Sequence, residues 1–263
     1  MQTSDLNSVV DFIFKSLGND IKLAAPLGLG KPNDLLNAVY DHVEKNPDHK
    51  LSIFTALSLG PPVVTEDLAE RFFTPFKNRQ WGKDYPILKY YQSAQKDQLP
   101  KNIEVHEFYF QAGTALNSTH LQRNYQSVNY THVAENIFNS GIQILVQLIA
   151  KKETKDGIRY SLSCNPDLTL DVDDIYKRFN KKFMIIGVVH PDLPFMEGDA
   201  EVRPDFFAAI LDTPKTNHQL FALPRMPMSV EEHFIGFYSS LFIKDGGTIQ
   251  IGIGSLSDAI VNA

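Results

Sequence analysis

Ile21-Lys22-Leu23-Ala24-Ala25-Pro26-Leu27-Gly28-Leu29-Gly30-Lys31-Pro32-Asn33 is the stretch that sets the fold. Ile21 to Ala25 is an apolar run of strand length, Pro26 to Gly30 supplies turn residues, and Pro32 with Asn33 opens a helix whose apolar positions run to about Val43. The same succession recurs downstream. Leu51 to Leu57 reads as a strand closed by Gly60-Pro61-Pro62, and Val64 to Phe73 as a helix started by Thr65 with acids in its first turn. Upstream, Leu6, Val9, Val10, Ile13, Phe14 and Leu17 recur at helical spacing and stop at Gly18. Alternating strands and helices predict an α/β fold, a mostly parallel sheet with helices on both faces.

Further along, Phe76 to Gln98 has poor periodicity and reads as connecting structure, and Ile103 to Phe108 as a strand. Ile142 to Ala150 and Ile158 to Ser163 flank the polar turn Lys152 to Gly157 and predict a hairpin. A helix over Val172 to Phe179 leads into the buried strand Phe183 to Val189, stopped by His190-Pro191-Asp192-Leu193-Pro194. Val230 to Ile243 reads as a helix, and Thr248 to Ile251 as a strand entering Gly252-Ile253-Gly254. A last helix begins at Ser255, with Ser255 or Ser257 as its cap and Asp258 in its first turn. A helix only begun at Ala263 predicts that the chain is a fragment, because short isolated helices are marginal.

The 263 residues are 43% hydrophobic and 21% charged, which is globular composition. With 25 Lys and Arg against 31 Asp and Glu, the net charge is -6, and no basic stripe favours nucleic acid. One cysteine, Cys164, makes no internal disulfide, and the opening Met1-Gln2-Thr3-Ser4-Asp5 lacks a signal-peptide pattern, so a cytoplasmic location is expected. The longest apolar run, Ile142 to Ala150, is too short for a membrane span.

Gly252-Ile253-Gly254 between a strand and a helix lets main-chain N–H groups approach an anion, so Gly252, Ile253, Gly254, Ser255 and Leu256 are the candidate coenzyme-binding residues. The same pattern also serves as a plain tight turn. It is not a dinucleotide fingerprint, since Ser257 stands where the third glycine belongs. Gly28-Leu29-Gly30-Lys31 is not a phosphate loop either, because Ala25 and Pro32 occupy the positions that need Gly and Ser or Thr.

Asp245 to Gly254, with Asp258-Ala259-Ile260, resembles the signature of the acetyl-CoA hydrolase/transferase family, the class I CoA transferases that include 4-hydroxybutyrate CoA-transferase. Pro26 to Leu36, Asn124-Tyr125 with Asn129 to His132, and Ser161 to Asp167 resemble further family segments, as does His190 to Gly198, where His190 and Leu193 replace the usual Asn and Met. The resemblance implies a CoA-transferase N-terminal domain over residues 1–225 and, over 226–263, the start of a C-terminal domain. It also implies a ping-pong reaction: a glutamate attacks an acyl-CoA, and a glutamyl-CoA thioester then passes CoA to a small carboxylate or to water. The nucleophilic glutamate is expected beyond Ala263, so no catalytic residue is named. CoA or acyl-CoA is substrate, with no permanently bound cofactor; a homo-oligomer is expected of the complete enzyme.

Glu107, Glu197, Glu201, Glu231 and Glu232 do not match the catalytic position and read as surface acids. Cys164 with His132 is conceivable as a thiol–imidazole pair, but a lone cysteine more often acts as a small buried hydrophobe. His106, His120, His132 and His190 match no zinc spacing and are expected to be structural. The competing reading is a free-standing, noncatalytic CoA or nucleotide binding module.

Overall fold

The computed structural model describes residues 1–263 except 63, 65 and 222–226, and the chain divides into two compact units, Met1–Leu220 and Phe221–Ala263. The expected boundary at 225/226 and the expected helix start at Thr65 both fall outside the described residues.

The first unit is an α/β layer structure. In chain order its elements are β1 (Gln2–Thr3), α1 (Leu6–Leu17), β2 (Asp20–Ala24), α2 (Asn33–Glu44), β3 (Lys50–Thr55), α3 (Asp67–Trp81), α4 (Lys89–Gln95), β4 (Ile103–Glu107), α5 (Thr119–Arg123) and α6 (Val133–Asn139). There follow β5 (Ile144–Thr154), β6 (Gly157–Ser161), α7 (Pro166–Arg178), β7 (Met184–Val189), β8 (Glu201–Val202) and β9 (Ala209–Leu211). The strand order β1-β9-β7-β5-β2-β3-β4 is parallel throughout, while β6 pairs antiparallel with the far half of β5 and with β8.

Alternation along each strand sends neighbouring side chains to opposite faces, and two cores result. On one face Ile21, Leu23, Ile53, Val105, Val146 and Val188 pack with Val9 and Ile13 of α1 and with Leu36 and Val39 of α2. On the other, Leu145, Ile149, Ile185 and Ile210 pack with Ile137 of α6 and with Val172 and Tyr176 of α7. The mostly parallel sheet with helices on both faces therefore forms as expected. α1 is capped by Asp5, whose carboxylate accepts from the Ser8 N–H, and ends at Gly18 with φ +82°.

Several sequence expectations are corrected. Phe76 to Gln98 holds the end of α3 and all of α4, buried through Tyr90, Tyr91 and Ala94; aromatic core contacts override its weak periodicity. α7 begins at Pro166 rather than near Val172, with proline in the first turn. β9, only three residues long, had no periodicity to show, yet it lies between β1 and β7.

In the second unit α8 (Val230–Ser240) carries a capping box, Ser229 with Glu232, and packs on α9 (Ser255–Asn262). A Cβ on Gly236 would stand 2.5 Å from the Ala259 carbonyl oxygen, so this helix contact requires glycine. Thr248 to Ile251 is not a strand: among the described residues it pairs with nothing, and a strand without a neighbour has no ladder bonds to hold it. Gly254, rather than Ser255 or Ser257, stands at the N-cap of α9, without a side-chain cap.

Candidate functional site

Open parallel sheets place ligands outside the carboxyl ends of their strands, at the point where the chain reverses its direction across the sheet. Here β2, β3 and β4 follow one another outward, and β5 returns to the other side of β2. The segments beyond the β2 and β5 sides of that switch point are the ones singled out in sequence. Gly30 lies against Asn165, whose amide donates to the Leu27 carbonyl at 3.5 Å; a Cβ on Gly30 would stand 2.0 Å from Asn165 Oδ1. Tyr130 donates to Asp167 at 2.5 Å, and burial, reinforced by that carboxylate, raises its phenol. Ser161 and Ser163 donate to the carbonyls of Met196 and Pro194 at 2.7 and 2.8 Å. Gln126 donates its N–H to the Glu107 carbonyl at 2.9 Å. Four separated stretches thus meet at one edge.

A void of about 10 Å³, the size of one water, lies there between Pro26, Leu27, Phe108, Leu145, Asn165 and Asp167. A larger cavity of about 250 Å³ opens over mid-strand positions, lined by Lys22, Ser52, Glu104 and His106. Its charged groups are already engaged: Lys22 donates to the Ser140 carbonyl at 3.2 Å, and His106 Nε2 sits 3.5 Å from Glu104.

Beneath the carboxyl edge is a buried ionisable cluster that the sequence reading missed. Lys31, 1% exposed, follows the Gly28–Gly30 turn and donates to the carbonyls of Ala56 at 2.5 Å and Leu57 at 3.3 Å. Burial depresses its ammonium to about 7, with Glu107 pulling the other way. Glu107, also 1% exposed, ends β4 and accepts from Ser58 Oγ at 2.5 Å; Tyr90, fully buried, reaches Ser58 Oγ at 2.8 Å. Since the Ser58 hydroxyl proton goes to Glu107, Tyr90 is the donor to Ser58. Burial raises the Glu107 carboxyl, offset by Lys31 and Ser58, and among the described residues its Oε2 accepts no hydrogen bond. Glu107 is therefore no surface acid. The signal was the alternation of Ile103-Glu104-Val105-His106-Glu107, which sets Glu107 on the buried face of Ile103 and Val105. Glu197 and Glu231 are exposed as expected, Glu201 is half-buried and pairs with Arg159, and Glu232 serves the capping box of α8.

The other candidates fall out differently. Cys164 is exposed rather than buried, with its thiol on Asn165 Oδ1 at 3.4 Å, while the His132 imidazole meets Thr131. His120 accepts the Val105 N–H at 3.1 Å. His190, 1% exposed, accepts the Asp192 N–H on Nδ1 and donates from Nε2 to the His218 carbonyl at 2.7 Å, so it is neutral and structural. Burial lowers its pKa. Among the described residues no group of three or more His, Cys, Asp or Glu is placed to hold a metal, and no helix is long and apolar enough to cross a membrane.

In the second unit the expected coenzyme residues lie in open backbone. Gly254 has φ 162° with nothing within 4 Å of its would-be Cβ, Ile253 is 95% exposed, and Ser255 donates to Glu232 at 2.5 Å. The five are contiguous at the start of α9, but the strand meant to present them is absent.

No protein-family description and no curated protein matches the chain. Solved structures do. RipA from Yersinia pestis superposes with a TM-score of 0.62 at 16% identity, over 99% of this chain and 53% of RipA. A 4-hydroxybutyrate CoA-transferase from Porphyromonas gingivalis superposes with a TM-score of 0.54 at 16% identity, over 99% of this chain and 50% of that one. The chain has a CoA-transferase-like fold. At such identity the likeness is one of architecture, and the chain spans about half the length of the structures it matches. The CoA-transferase-like sheet accounts for the convergence of the four segments, because its carboxyl edge is where their loops emerge.

Proposed function

We propose that the carboxyl edge of the first unit receives the acyl end of an acyl-CoA thioester, and that the chain supplies one wall of a CoA-transferase or acyl-CoA hydrolase site. The observation that carries this reading is the meeting of Pro26–Gly30, Tyr130, Asn165–Asp167 and Pro194–Met196 at the switch point of a fold shared with a 4-hydroxybutyrate CoA-transferase.

In this reading a glutamate carboxylate, supplied from outside the chain, attacks the thioester carbonyl carbon. The C–S bond breaks and CoA leaves as thiolate, giving an acyl-glutamyl anhydride. The thiolate then attacks the glutamyl carbonyl and releases the acyl group as its carboxylate. The resulting glutamyl-CoA passes CoA to an acceptor carboxylate, or water attacks its carbonyl, regenerating the glutamate and releasing free CoA. Each addition puts negative charge on a carbonyl oxygen, which main-chain N–H donors stabilise. The main-chain N–H groups around Gly254 to Leu256 are proposed to face CoA in the complete enzyme, with Gly252 and Gly254 needed for their lack of side chains.

The test is calorimetric titration of the chain with CoA and acetyl-CoA, beside an acyl-transfer assay with a carboxylate acceptor. Weak binding without turnover is expected, because a site that has lost its nucleophile loses many powers of ten in rate. Robust turnover abolished by substituting one of the chain's own glutamates would show that the nucleophile has been misplaced.

A further inference from the structure

We infer that Leu57–Gly60 is a receptor loop for the acyl oxygen and that Lys31 is its positioning residue; this rests on the acyl-CoA reading above. The loop leaves β3 at the carboxyl edge, and each of its first residues is pinned. Ala56 and Leu57 turn their carbonyls onto the Lys31 ammonium at 2.5 and 3.3 Å. The Leu57 N–H donates to the Tyr109 carbonyl at 2.8 Å, and Ser58 bonds Glu107 through its hydroxyl at 2.5 Å. Leu57 has φ +47°, a left-handed conformation that a branched side chain adopts only when its surroundings impose it. Lys31 supplies that imposition, drawing two successive carbonyls toward one point.

With those carbonyls held inward, the next two donors are left over. Among the described residues no acceptor meets the N–H of Leu59 or of Gly60, and both residues are only half-buried. Pro61 and Pro62 follow, fixing the backbone and adding no donor of their own. Two adjacent N–H groups without an acceptor among the described residues, on a stiff loop, suit an oxygen that gains negative charge, a thioester carbonyl or a carboxylate, because they need no reorganisation when the charge develops. The Lys31 and Glu107 charges beneath oppose one another, which leaves the N–H dipoles as the local attraction for an anion.

The experiment compares acetyl-CoA with CoA on the intact chain. Gly60→Pro removes one donor; the position has no positive φ, and its would-be Cβ meets only Ile87 at 4.0 Å. Losing a hydrogen bond to a charged oxygen is expected to weaken acetyl-CoA about tenfold or more, with CoA affinity changed less than about twofold. The double variant Lys31→Met with Glu107→Gln, which leaves no lone buried charge, is expected to give the same acyl-selective loss. On the wild type, the amide signals of Leu59 and Gly60 should shift in nuclear magnetic resonance titrations with acetyl-CoA and stay fixed with CoA, a readout independent of whether either variant folds. Equal losses for the two ligands, or still amide signals under acetyl-CoA, would overturn the inference while leaving the acyl-CoA reading standing. A wild type that binds neither ligand would overturn both.

Discussion

Replacing Lys31 with methionine tests whether the buried charges of Lys31 and Glu107 hold the carboxyl edge together. The substitution keeps the length of the side chain and deletes its ammonium. Glu107 is then left 1% exposed, with Oε2 lacking a hydrogen bond among the described residues and its opposing charge gone. The carbonyls of Ala56 and Leu57 lose their shared donor as well. Leaving a buried carboxylate without the opposing charge that offsets it typically costs about 3–5 kcal/mol. At roughly 2–4 °C per kcal/mol for a chain of this size, the melting point should fall by roughly 6–20 °C. Denaturant titration followed by far-ultraviolet circular dichroism measures the loss. Adding Glu107→Gln should recover a substantial part of it, because the stranded charge disappears with its partner. The pH dependence gives a second handle. Lys31 sits at about 7 against an ordinary 10.5, so between those values the unfolded chain binds more protons than the folded one, and this group makes stability rise with pH. Glu107 works the other way: its raised carboxyl makes stability fall as pH climbs above its ordinary 4.5. From pH 7.5 to 9.5, therefore, the wild type should gain stability relative to Lys31→Met. A single variant within 1 kcal/mol of wild type, or a double variant equal to the sum of its parts, would refute the reasoning.

Gly30→Ala should destabilise by about 1–3 kcal/mol, since its Cβ would fall 2.0 Å from Asn165 Oδ1; Asn165→Gly should relieve most of the loss, and additive melts would contradict the close contact. In the second unit Gly236→Ala should separate α8 from α9, read as lost exchange protection in both helices, because the new methyl meets the Ala259 carbonyl at 2.5 Å rather than a side chain that can swing away. Gly254→Val has room and an extended backbone, so the melting curve should not move; under the proposed function, turnover of a protein that includes the proposed nucleophile should fall strongly, and unchanged kinetics would remove the α9 start from the proposed coenzyme site.

The sheet was legible wherever one local rule dominated. α1 runs from Leu6 to Leu17 as its apolar spacing and Gly18 require, and the β5–β6 hairpin brackets the turn that separates its apolar runs. Elements that owe their form to distant partners were not. Tyr90 and Tyr91 make α4 a buried helix only because α2 and α5 pack against it within the core, and β9 is a strand only because β1 and β7 flank it. Thr248 to Ile251 shows the converse: its pattern suits a strand, but the described residues give it no neighbour.

The turns at the carboxyl edge were legible in outline, and the buried charges beneath them were hidden, for a related reason. Glycine turns and Asn-Pro-Asp advertise close backbone approaches, so Gly30 and Asn165 could be singled out before anything placed them in contact. A charged side chain carries no such mark. Lys31 and Glu107 stand 76 positions apart in sequence, each beside polar or turn residues, and on composition each belongs at the surface. Parallel strand order brings them together: Lys31 follows the turn leaving β2, Glu107 ends β4, and β3 between them ends in the two carbonyls that Lys31 binds. The sheet must therefore form before either charge acquires a compensating environment, and the cost of burying them falls on the fold rather than on any local element. In the proposed receptor, that cost and the left-handed Leu57 hold the Leu57–Gly60 loop ready for the acyl oxygen.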